Sequence, residues 1–101
     1  MEVPDKLLEM AVKAYGESVR QTWKQGGRKP KLYKKTQEQK IVDKTVLTTY
    51  LDILSRVFDV TGGLFTLMEM AEKSKIINES GKHCDDPYPV EMDKLIVKGK
   101  G

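Results

Sequence analysis

The placing of proline most constrains what this chain can fold into. The four prolines stand at Pro4, Pro30, Pro87 and Pro89. The stretches 5–29 and 31–86 therefore contain no residue that removes a helical backbone donor and clashes with the preceding turn. Within them apolar residues recur at steps of three and four, the pattern of a helix with one buried face at about 3.6 residues per turn.

A first helix is predicted over about 5–24, with Leu8, Ala11, Val12, Tyr15, Val19 and Trp23 on its inner face and Lys13, Glu17, Arg20 and Lys24 facing water. Gly16 costs such a helix about 1 kcal/mol against alanine, which points to close approach by a neighbouring backbone. Gln25-Gly26-Gly27 then stops it, since glycine accepts the left-handed conformation found past a carboxy-terminal turn. The second helix is predicted over about 37–60. Thr36 and Gln39 have the spacing of a capping box. Val42, Val46, Leu47, Tyr50, Ile53, Leu54, Val57 and Phe58 spread over about half of its circumference, wider than the usual stripe of about 100°. That width predicts a central helix with two neighbours. Gly62-Gly63 makes a short turn into a third helix over about 64–79, which buries Leu64, Phe65, Leu67, Met68 and Ala71, and the short turn favours an antiparallel pair. Gly81 is read as its stop.

At 101 residues the chain suits one modest core. The fold class expected is all-α, a small three-helix bundle or orthogonal three-helix packing with a basic interhelical loop. Residues 1–82 form the helical domain and 83–101 an extended tail or arm. Pro87 and Pro89 disfavour helix in the residues before them, and "KLIV" is read as a short strand, an arm across the bundle or a partner-binding segment.

The loop is the one electrostatic feature. Lys24, Arg28, Lys29, Lys31, Lys34, Lys35 and Lys40 against Glu38 give +6, while the whole chain is +3, so the rest carries −3. Charge concentrated in this way suits phosphates, whose neutralisation releases condensed counterions. The expected partner is nucleic acid, DNA or RNA, contacted by Arg28, Lys29, Lys31, Lys34 and Lys35 with little sequence preference, and with Tyr33 able to stack on an unpaired base. The segment Gly27–Lys31 resembles the core of an AT-hook, although its order departs from the commonest Arg-Gly-Arg-Pro. The resemblance implies that Arg28 and Lys29 enter an A·T minor groove. Trp23 is expected to anchor the loop to the bundle. The rival expectation is a protein–protein module, an inhibitor, chaperone or assembly factor that uses the apolar second-helix face or the tail against a partner or a second copy of itself.

Other constellations point away from chemistry. "KHCDD" holds the only adjacent metal-ligand types, His83, Cys84, Asp85 and Asp86. Four neighbours do not all reach one ion, and the chain has no second Cys or His. Asp52 with Asp59, and Glu69 with Glu72, are spaced as a carboxylate cluster on facing helices would need. Periodicity places the first pair on the polar side. No phosphate-cradling loop, metalloprotease signature or serine elbow occurs, so neither catalysis nor a cofactor is expected, and no small-molecule substrate is evident. Met10, Met68 and Met70 are read as fillers of core gaps. A lone cysteine excludes an internal disulfide, the amino terminus has acids where a secretory signal needs bases, and no apolar run approaches the roughly 20 residues of a membrane span. A cytoplasmic protein without membrane contact is expected.

Overall fold

The computed structural model describes residues 2–25, 31–86 and 96–97. Three helices pack against one another, α1 (Asp5–Val19), α2 (Gln37–Arg56) and α3 (Gly63–Lys73). A small sheet is appended to them, formed by β1 (Thr22–Gln25), β2 (Lys31–Lys34) and β3 (Ile96–Val97) in that spatial order. The Gly26-Gly27 stop, Arg28, Lys29 and the Pro87–Pro89 turn lie outside the described residues.

The connection expected to be a loop is a β-hairpin. β1 and β2 pair antiparallel with Thr22 opposite Lys34, Trp23 opposite Tyr33, Lys24 opposite Leu32 and Gln25 opposite Lys31. The first helix accordingly ends at Val19 instead of Lys24. The amide of Arg20 still reaches back to Gly16 and Glu17, but those of Gln21 and Thr22 turn to the carboxylate of Asp86. A β-branched residue followed by an aromatic one suits the strand that begins there. β3 pairs parallel with β2, Ile96 beside Tyr33 and Val97 beside Lys34, which selects the strand among the readings of "KLIV".

α2 starts where predicted. Thr36 Oγ1 accepts from the amide of Gln39 at 3.1 Å, but the Gln39 side chain donates to Asp43 Oδ1 at 2.8 Å. The cap is thus half of a capping box. The helix ends at Arg56 because Asp59 is left-handed (φ 56°) and the amide of Val60 folds back to the Leu54 carbonyl at 2.8 Å. α3 ends at Lys73, six residues early. Its stop is a Schellman motif with Lys75 (φ 61°) in the left-handed place, the Ile76 amide bonding Ala71 O and the Lys75 amide bonding Glu72 O. Gly81 (φ 80°) instead closes a tight turn in which Asn78 Oδ1 accepts from the amides of Ser80 and Lys82.

The core gathers Ala11, Val12 and Tyr15 of α1, Leu47 and Leu54 of α2, Leu67 and Ala71 of α3, and Ile77. α1 is the middle helix, packed along both others, whereas α2 and α3 touch each other least. This corrects the central place expected for α2, which buries only Leu47 and Leu54. Val42, Val46 and Val57 are exposed, as are Leu64 and Phe65 on α3. A wide apolar arc on a helix need not be filled by its own chain. Gly16 lets α1 approach a side chain and not a backbone, since a Cβ there would lie 2.5 Å from Ile76 Cγ2. No described helix is long and apolar enough to cross a membrane.

Candidate nucleic-acid interface

The hairpin leaves the helices from a base that is held at three points. The turn out of α1 is held by Asp86, whose carboxylate accepts from the amides of Gln21 and Thr22 at 3.0 Å each and from the Thr22 hydroxyl at 2.8 Å. Charge-assisted bonds of this kind are stronger than neutral ones, and Thr22 is buried beneath them. Across the base, the Lys35 amide donates to Gln21 O at 2.8 Å, continuing the ladder by one bond. Finally, the Lys35 ammonium turns inward. It lies 2.7 Å from Asp43 Oδ2 on α2 with a side chain only 1% exposed, and it also donates to the carbonyl of Glu17 on α1.

Lys35 therefore stands apart from the lysines it was grouped with. Its charge is neutralised inside the junction of α1, α2 and the hairpin, so it offers nothing to an external phosphate. Lys34 is exposed and Tyr33 is half-buried, with Lys31 at the far end of the same strand. Arg28 and Lys29 lie in the segment that joins β1 to β2, outside the described residues, as does the AT-hook resemblance apart from Lys31. The anchoring role read for Trp23 concerns a side chain outside the description; its backbone stands opposite Tyr33 in the ladder. From Lys24 to Lys34 the chain has five Lys or Arg residues and no acid.

The base of the hairpin was not legible as such, because its partners are remote in sequence. Asp86 lies 65 residues from Gln21. The only local signal was an Asp-rich turn before Pro87, which marks a bend and not what the carboxylate reaches.

His83, Cys84 and Asp85 line one cavity together with Glu17 and Arg20. His83 is buried, bridges to Ile77, and accepts the Asp85 amide at Nδ1. Asp86 serves the hairpin base, and Cys84 is exposed. Asp52 pairs with Arg56 at 2.7 Å on the surface of α2, and Asp59, Glu69 and Glu72 are exposed. Among the described residues, no three His, Cys, Asp or Glu side chains gather as a metal site would need. No protein-family model, no curated protein and no solved structure matches this chain.

Proposed function

We propose that this chain is a small non-enzymatic binding protein that holds nucleic-acid phosphates on the basic β-hairpin between α1 and α2, with little preference for sequence. The observation that carries the reading is that the acid-free segment Lys24–Lys34, with five Lys or Arg residues in its sequence, is joined to the helices at a base fastened by Asp86 and by the Lys35–Asp43 pair. Without those five charges the chain is −2, so this short segment accounts for the net positive charge that would attract a polyanion. Arg28, Lys29, Lys31 and Lys34 make the phosphate contacts, and Tyr33 offers a ring to an unpaired base. The lone exposed Cys84 suits a reducing cytoplasm.

The test is a titration into labelled duplex and single-stranded DNA and RNA over a salt series, with a variant in which Arg28, Lys29, Lys31 and Lys34 become Gln. Four or five phosphate contacts predict a fall of roughly 10²-fold in affinity between about 50 and 200 mM salt. The folded variant is expected to lose most of its binding and most of that slope. A wild type that does not bind, or a variant that binds as well, removes the reading.

A further inference from the structure

α2 carries an uncharged stripe that the other described residues leave largely open. Val42, Val46, Thr49 and Ile53 follow one another at spacings of four, three and four, the seam of a two-helix coiled coil. Val42 and Val46 are 52% and 42% exposed. Thr49 joins the apolar surface because its hydroxyl donates to the Thr45 carbonyl at 2.9 Å, its hydrogen bond made within the helix. On the α1 side the stripe borders a groove of about 320 Å³ whose floor is formed by Met10, Ala14, Val46 and Tyr50 and whose lining also includes Lys13, Glu17 and Asp43.

Charge decides what covers it. Glu38 and Arg56 lie about five helical turns apart and so on the same flank of the stripe, one near each end of α2. A second α2 laid parallel with its stripe facing the first would put the two copies of Glu38, and the two of Arg56, at one level but on opposite flanks, so that neither meets an opposite charge. Laid antiparallel about a two-fold axis, it sets Val42 against Ile53 and Val46 against Thr49, and brings Glu38 of each copy opposite Arg56 of the other. Arg56 has a side chain 80% exposed and touches only its own Asp52 among the described ion pairs, which leaves guanidinium nitrogens free to reach across. We propose that a second copy of this chain covers the stripe, through an antiparallel α2–α2 pairing centred between Leu47 and Thr48.

Sedimentation or light scattering over a concentration series from low micromolar to several hundred micromolar reads this directly. A concentration-dependent dimer is expected, and a monomer throughout overturns the proposal. Because a two-fold axis repeats every contact, Glu38→Arg or Arg56→Glu alone replaces two attractions by two repulsions and should weaken the dimer about tenfold. The double variant should restore it. Val46→Glu should abolish the dimer and leave the monomer folded, since Val46 is solvent-facing in the single chain; circular dichroism checks that. A dimer indifferent to Val46→Glu, or two reversals whose effects add instead of cancelling, overturns the α2 pairing.

Discussion

Lys35 shows how a lysine in a basic run can belong to the core. Its ammonium satisfies Asp43 from β2's end and the last turn of α1 at once, so removing it strands a carboxylate that is only 12% exposed. Breaking such a pair from one side costs about 3 kcal/mol, much of it the penalty for the abandoned charge. Lys35→Met is therefore expected to lower the unfolding free energy by about that amount, with Lys35→Met/Asp43→Leu recovering most of it. Chemical denaturation measures both. The same substitution should leave the salt slope of nucleic-acid binding unchanged, because Lys35 holds no phosphate. Lys75 is the opposite case, an exposed residue kept left-handed by the Schellman motif at the end of α3. Lys75→Gly removes the Cβ that makes this conformation costly and should raise stability by about 0.5–1 kcal/mol, seen as a higher Tm.

The hairpin behaves as an element because its base is tied to the rest of the chain, not because two four-residue strands are stable by themselves. Asp86 is the longest-range of those ties. Asp86→Ala leaves the amides of Gln21 and Thr22 and the buried Thr22 hydroxyl without their acceptor, a loss of about 1–3 kcal/mol. Hydrogen exchange should show it first at Gln21, Thr22 and Lys35, while the amides of α2 and α3 stay protected until global unfolding. Nucleic-acid affinity should fall as well, although no phosphate contact has been touched, because a loosened ribbon loses more freedom on binding. Equal exchange in wild type and variant would show that the hairpin holds together without this clamp.

At the scale of the molecule, the hairpin and the α2 stripe are linked by geometry, since β2 runs almost directly into α2. An antiparallel α2 pair centred between Leu47 and Thr48 would separate the two hairpin bases by roughly 37 Å along the helix direction, at 1.5 Å per residue. One turn of duplex DNA spans about 34–36 Å. A dimer could therefore place both ribbons on one face of a duplex, and linking two weak contacts strengthens binding without any new interaction. Wild-type affinity is expected to rise at least about tenfold as duplex length grows from about 10 to 20 base pairs, and to stay nearly flat for Val46→Glu. Gel-shift or anisotropy titrations on a ladder of duplexes measure it. A flat course for a wild type that does dimerise would mean that the two ribbons do not share a duplex.

The number of helices, their order and most of their inner faces could be read from the sequence, because a period of three to four residues between prolines is a local property. Leu8, Ala11, Val12, Tyr15, Leu47, Leu54, Leu67 and Ala71 all lie in or against the core, and the Thr36 cap needs only the three residues that follow it. The concentration of positive charge was equally plain. Only the tertiary structure decided what depends on partners far along the chain. Asp86 draws the chain off α1 into a strand, Asp43 takes Lys35 inside, and α1 occupies the middle, leaving part of the wide α2 arc exposed. Periodicity tells which side of a helix can be buried; how much of that side is covered depends on how many neighbours arrive, and that is settled only when the elements pack.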